Sequence, residues 1–473
     1  MKMLPLTLSV LIALNSQFTQ ANAAPPQEYD PFAELDQEMN DFNNEGSKAE
    51  LNEFQQWKSE YLAQYQAFRV EHFKKVDDIR DNLISQWGES EVSSQQQYVE
   101  YSKDNNTRTV VDFENNEIRI SVLHDEDKTV TKIAAIKAIK DATNKKESKR
   151  SNALVQLLGN KPSETSIKNM VNKADKKDNN IAITQNNTAV IRKEIQVINE
   201  QANVQKQYVE IVYDQMVADE EAQSQKVTGS SKEAKIAKDI EKEKSQIEHE
   251  KKKRIASLKA KLAQLKKGKK REQLKEKKIT TFTIPLKHKN ELTKAKPFIS
   301  NVQIQSKRWG LEPSLMLAIM HTESYFNPKA QSHVPAYGLM QIVPRTAGID
   351  VNRMLFKQDK PMSQHYLFDA DQNIEAGVAY MHILNSRYLR KITHPESRMY
   401  CMIAAYNTGS GNVAKTFNKD KTRNINKAAP IINAMTPKQV YNHLVNNLPY
   451  DETRHYLKRV VTRKDIYAPV QKL

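Results

Sequence analysis

Glu323 is the only acidic residue between Glu312 and Asp350. It closes an apolar run, "PSLMLAIMHTES", that reads as a short buried helix. Pro313 suits the first turn, where its missing N–H has no partner to lose. Leu315, Ile319 and Met320 share one face, and Pro328 limits any continuation. Glu323 therefore falls in the last turn. A helix C-terminus disfavours negative charge, and so do apolar neighbours. Both effects predict a carboxyl that stays protonated near neutral pH. A general acid that cleaves a glycosidic bond needs that state.

Two later strips add sugar-binding chemistry. In "AYGLMQIVP", Gly338 permits a tight turn and Gln341 offers a neutral donor and acceptor. In "AAYNTGSGNV", an apolar helix ends on Tyr406 and Asn407 before a glycine-containing loop. A helix-end Glu is usually structural and a G-x-G loop is common, so neither decides alone. Their combination points to a saccharide. The histidines lack ligand spacing, and no metal or cofactor is expected. The single cysteine, Cys401, sits in an apolar helical stretch and reads as a buried free thiol.

The rest of the chain must position these groups. Its 473 residues allow two or three domains. Residues 1–23 have an early Lys2, an apolar stretch and an Ala-Asn-Ala site, the pattern of a signal peptide. Export to the periplasm or cell envelope is expected, and with it no nucleic-acid partner. No cysteine near the signal site could carry lipid, so the chain is not an evident lipoprotein. Residues 24–50 read as a polar, flexible leader.

A small α+β domain is expected over 51–188 plus 278–292. Phe54, Trp57, Tyr61, Tyr65, Phe68 and Phe73 recur at helical spacing. "TRTVVDFENNEIRISVL" alternates like a β-hairpin, "QQYVEYS" adds a strand, and the distant "KITTFTIPL" could complete the sheet. Residues 189–277 then form a charged, coiled-coil-like helical insertion, read as a helical hairpin. The 232–278 stretch holds most of the net charge of +16. A solvated helical face is the plain reading of this charge, and a basic arm that tracks an anionic membrane surface, a wall polymer or an envelope protein is the functional one. Residues 293–473 hold short apolar helices broken by turns, a compact helical domain. The fold class is α+β, predominantly helical.

"ESYFNPKAQSHVPAYGLMQIVPRTAG" followed by "AYNTGSGNV" resembles the soluble-lytic-transglycosylase type of catalytic domain, a relative of goose-type lysozyme. The resemblance runs from about Pro297 to Tyr467. It implies a lysozyme-like fold and cleavage of the β-1,4 bond between N-acetylmuramic acid and N-acetylglucosamine in peptidoglycan glycan strands. It also implies that Glu323 is the acid/base, with Ser332 near it. Gly338, Leu339, Met340 and Gln341 would form the substrate-side strip, joined by Tyr406 and Asn407. "ETRHYLKRV" resembles the closing helix, with Tyr456 in the cleft. "WGESEVSSQQQYVEYSKDNNTRTVVDFENNEIRISVL" and "TTFTIPLKHKNELTKAKPF" are similar to the small domain of the membrane-bound lytic murein transglycosylase C group. The long basic helices are not part of that group's usual pattern.

Most glycosidases use two carboxylates, and this strip offers one. A single-acid route fits: Glu323 protonates the leaving oxygen, the substrate N-acetyl group stabilises the cation, and the sugar's own C6 hydroxyl closes a 1,6-anhydro ring. A muramidase-type hydrolase is the alternative, with Asp369, Asp371 or Glu375 holding water. These acids read as a helix start. A non-enzymatic envelope-binding scaffold is the third reading, but it has no use for an acid in an apolar setting.

Overall fold

The computed structural model describes residues 48–128, 130–181, 188–224, 230–265, 268–286, 290–332 and 334–472. The expected signal peptide and nearly all of the leader lie outside these. No helix among the described residues is long and apolar enough to cross a membrane. The protein is a predominantly helical α+β structure.

Five strands form one antiparallel sheet: β1 (Gln97–Tyr101), β2 (Thr107–Asp112), β3 (Glu117–Asp125), β4 (Asp175–Asn180) and β5 (Lys277–Pro285), in the order β1-β2-β3-β5-β4. β2 and β3 are the hairpin that the alternation marks, turning through Asn116 at φ 52°. β5 returns from far along the chain to pair with β3, placing Ile118 against Ile284 and Ile120 against Phe282. These residues join Ile139, Leu154 and Val171 of the covering helices in one apolar core. On the other face, Arg108 and Arg119 pair with Glu91 at 3.0 and 2.8 Å. β4, "DKKDNN", is a strand that apolar alternation does not reveal. It is exposed along its whole length, and its charges suit a sheet edge.

The two long helices Thr188–Ser224 and Ser230–Leu265 pack on each other as a hairpin. They do not stand apart as an arm. The first described helix, Lys48–Trp87, lies against the second of the pair. Arg254 grips Asp77 through two hydrogen bonds of 2.7 Å and stacks 4.7 Å over Phe73. Arg69, buried, reaches Glu250 at 3.3 Å. Of the aromatic stripe, Tyr65 and Phe73 are buried. Leu83, Ile84 and Trp87 form a second core with Ile198, Leu258 and Leu262. Part of the charge that read as a free basic face is thus spent inside this helical assembly.

The C-terminal unit wraps its helices around Pro313–Ser324. Leu315 to Met320 are all buried, as an all-round apolar helix requires. Glu291–Trp309 and Asp451–Ile466 flank it. Direct links tie this unit to the sheet unit. The Gln331 N–H donates to the Ser94 carbonyl at 3.2 Å, Lys329 pairs with Glu147 at 2.6 Å, and the Ala370 N–H donates to Ser151 Oγ at 3.0 Å.

Candidate active site

The helix that carries Glu323 stops one residue later. Tyr325 and Phe326 both take left-handed conformations, at φ 52° and 66°. The Tyr325 N–H caps the His321 carbonyl at 3.1 Å. This sharp exit, rather than Pro328, ends the helix. The hydroxyl of Ser324 donates to the Leu339 carbonyl at 2.8 Å, binding the helix end to the following turn. Neighbouring His321 is buried, and burial, with Arg463 and Lys294 nearby, lowers its pKa to about 3. It is neutral, and Tyr467 hydrogen-bonds its Nδ1 at 2.9 Å.

Glu323 is 8 % exposed. Burial raises its pKa to about 8 against the lowering effect of one hydrogen bond, from the Tyr456 hydroxyl to Oε1 at 2.7 Å. Glu452 adds to the rise and Arg459 opposes it. The carboxyl is therefore mainly protonated at pH 7. Burial is the largest cause, in line with the apolar setting of the sequence.

Glu323 opens into a cavity of about 340 Å³. Ser332, Gln341, Tyr406, Asn407 and Tyr456 line it as well. Gln341 sits at φ 48° and donates its amide to the carbonyls of Ala330 and Gly338 at 3.1 and 2.9 Å. Its Oε1 is buried and has no hydrogen-bond partner among the described residues. The Tyr406 hydroxyl donates to the Met340 carbonyl at 2.7 Å, and Asn407 Oδ1 accepts from Thr453 at 2.6 Å. The Ser332 hydroxyl is turned to the Val334 carbonyl.

Gly338 and Met340, expected on the substrate side, do not line the cavity. Met340 is fully buried, and a Cβ on Gly377 would come within 2.3 Å of its sulfur. Gly338, at φ +77°, leaves no room for a side chain: a Cβ there would lie 2.2 Å from the Leu367 carbonyl oxygen. Both shape the turn from behind. Asn373, which sequence reasoning missed, locks that turn. Its Oδ1 accepts from the Met340 N–H at 2.7 Å, and its amide donates to the carbonyls of Tyr337 and Leu367 at 2.8 Å each.

The three acids kept for a hydrolase lie elsewhere. Asp369 caps the Ala370–Ile383 helix, Asp371 pairs with Arg150 at 2.8 Å, and Glu375 pairs with Arg308 at 2.9 Å. The second carboxyl near Glu323 is Glu452, at the rim of the cavity. Its side chain is open to solvent, yet surrounding protein raises its pKa, with Arg459 opposing. Glu452, Tyr456 and Arg459 stand at i, i+4 and i+7, one helix face, and that spacing could have found them. Also missed were two contributions from the N-terminal half. Ser94, Gln95 and Gln96 border the cavity, and so does the Thr188–Ser224 helix through Glu200, Val204, Gln207, Tyr208 and Ile211.

Two family profiles match parts of the chain. Residues 300–429 match the family profile "Transglycosylase SLT domain". Residues 66–227 match "Membrane-bound lytic murein transglycosylase C, N-terminal domain", a stretch that includes the first long helix of the insertion. The chain is similar to membrane-bound lytic murein transglycosylase C of Cronobacter sakazakii, 44% identical over 189 residues, which are 40% of this chain and 51% of that protein. The enzyme of the same name from Mannheimia succiniciproducens is 46% identical over 167 residues, 35% of this chain and 45% of the relative. The chain thus spans about half the length of the curated relatives it matches. Among solved structures, an inactive Glu-to-Gln mutant of lytic transglycosylase Slt from Pseudomonas aeruginosa is 29% identical over 36% of this chain and 24% of its own, with a TM-score of 0.27.

Proposed function

We propose that the protein is a peptidoglycan lytic transglycosylase that cleaves the β-1,4 bond between N-acetylmuramic acid and N-acetylglucosamine. The observation that carries this reading is the buried Glu323 carboxyl, its pKa raised to about 8, on the wall of a cavity that Gln341, Tyr406, Asn407 and Tyr456 also line. In the first step Glu323 gives its proton to the glycosidic oxygen as the C1–O bond breaks. The N-acetyl carbonyl oxygen of the same sugar takes the charge at C1. Glu323, now a carboxylate, removes the proton of the C6 hydroxyl, whose oxygen attacks C1. A 1,6-anhydro ring forms and Glu323 is protonated again. Tyr456 supports the carboxylate between these steps, since its hydrogen bond favours the ionised form.

Glu452 favours a second reading. A solvated carboxyl at the rim of the same cavity is placed to activate water, which would make the enzyme a hydrolase. Mass spectrometry of peptidoglycan digests separates the two. Products ending in 1,6-anhydromuramic acid, absent with Glu323→Gln, support the transglycosylase. Reducing-end products that vanish with Glu452→Gln support the hydrolase, and no products from the parent chain reject both.

The site of action would be the cell envelope, where this substrate lies. Lys242, Lys252, Lys253 and Lys259 are exposed on the Ser230–Leu265 helix. They offer a basic face to an anionic envelope surface, an attraction that rising salt should weaken.

A further inference from the structure

The cavity wall from the helical insertion is a built surface. Glu200, Val204, Gln207, Tyr208 and Ile211 follow helical spacing and form one stripe. The stripe carries no cation, although the hairpin as a whole is rich in lysine. Lys206 beside it is taken up by Glu248 at 2.6 Å. The helix is also fixed in place. Glu210, 5 % exposed, accepts the Tyr450 hydroxyl and pairs with Lys244 and, at 3.5 Å, with Arg423. Ile211 lies against Gly409, two residues from Asn407.

Tyr208 is the largest side chain on this stripe. Four other tyrosines near the site have bonded hydroxyls: Tyr406 to Met340, Tyr456 to Glu323, Tyr450 to Glu210 and Tyr467 to His321. A tyrosine held only as core does the same. The Tyr208 hydroxyl has no hydrogen-bond partner among the described residues, and the half-buried side chain lines the cavity. Burial is the main cause of its raised pKa, and its phenol also interacts electrostatically with Glu323, Tyr65, Glu452 and Tyr380. A flat apolar ring with a free donor suits a pyranose, which presents C–H groups on its face and hydroxyl and N-acetyl groups on its edge.

We propose that Tyr208 is a positioning residue for the glycan, supplied by the helical insertion: its ring packs on an N-acetylated sugar next to the bond at Glu323, and its hydroxyl bonds to that sugar. This rests on the glycan-cleaving reading above. The insertion is then part of the active site.

The test uses the full chain and soluble glycan strands of alternating N-acetylglucosamine and N-acetylmuramic acid. Tyr208→Ala should raise KM on the order of tenfold with kcat changed by about twofold or less, the pattern of lost binding common to ground and transition states. Tyr208→Phe, which keeps the packing, should raise KM by a smaller factor. Titration of the same strands into Glu323→Gln protein, with and without Tyr208→Ala, should show the same loss in affinity. Unchanged KM and affinity in both Tyr208 variants would overturn the proposal. So would a fall in thermal midpoint and kcat at constant KM, which is what a packing role predicts. If the parent chain cleaves nothing, the proposed reaction fails, and the titration still decides whether Tyr208 holds glycan.

Discussion

At the scale of single residues, the proposed chemistry turns on the protonation of Glu323. The acid form is lost as pH rises through about 8, so kcat/KM should fall about tenfold per pH unit above that value. The Tyr456 hydrogen bond lowers this pKa. Tyr456→Phe should therefore move the alkaline limb of the kcat/KM profile to higher pH while reducing kcat, because the carboxylate formed in the first step loses its support. A limb that stays in place would show that another group controls it. The same shift predicts stability. The folded pKa lies above the ordinary value of 4.5, so below about 4.5 the carboxyl is protonated in both states and costs nothing. Between 4.5 and 8 the unfolded chain ionises and the folded one does not, and stability falls as pH rises. Glu323→Gln removes this term. It should raise the thermal midpoint at pH 7.5 by an amount worth about 2–4 kcal/mol, with the gain vanishing near pH 4.5.

Elements decide where the acid points, and here the sequence was legible in part. "PSLMLAIMHTES" announces a buried helix because its apolar residues surround it, and Glu323 stands out against them. The hairpin Thr107–Asp125 follows from alternation. β4 was not legible, since an exposed edge strand of Asp, Lys and Asn has no apolar pattern. Asn373 was not legible either: its three hydrogen bonds reach a turn more than thirty residues away and the Leu367 carbonyl. Both turn devices can be tested. Asn373→Ala strands the buried Met340 N–H and two carbonyls, and should cost about 2–4 kcal/mol of unfolding free energy in denaturant titration. Gly338→Ala adds a left-handed φ to a clash with Leu367 and should cost at least as much. Both should lose activity beyond what instability explains, because the turn carries Gln341. Wild-type turnover in a folded Gly338→Ala protein would mean that the turn can shift without moving the site.

For the molecule as a whole, the informative fact is that a helix from the N-terminal half lines the cavity of the C-terminal half. Periodicity gave the helix and its apolar stripe, but a stripe does not say what it packs against. Only the fold shows that one part meets Ser230–Leu265 and another meets Glu323's cavity. Glu210 is the joint between the halves. Burial alone would raise its pKa, yet Lys244, Tyr450 and Arg423 outweigh burial and hold it below 4.5. A depressed pKa contributes stability above the ordinary value, and that contribution is lost as pH falls through the folded value. Glu210→Gln leaves Lys244 and Arg423 partly buried without their shared anion and should destabilise the chain by about 2–4 kcal/mol at pH 7. The deficit should shrink as pH drops below about 4.5, since the parent then loses the same charge. Glu323 and its Tyr456 bond are untouched by this change. A loosened helix should therefore appear in KM for glycan strands, with the alkaline limb still near pH 8. A shifted limb with unchanged KM would show instead that the joint acts on the acid and not on the wall that faces the sugar.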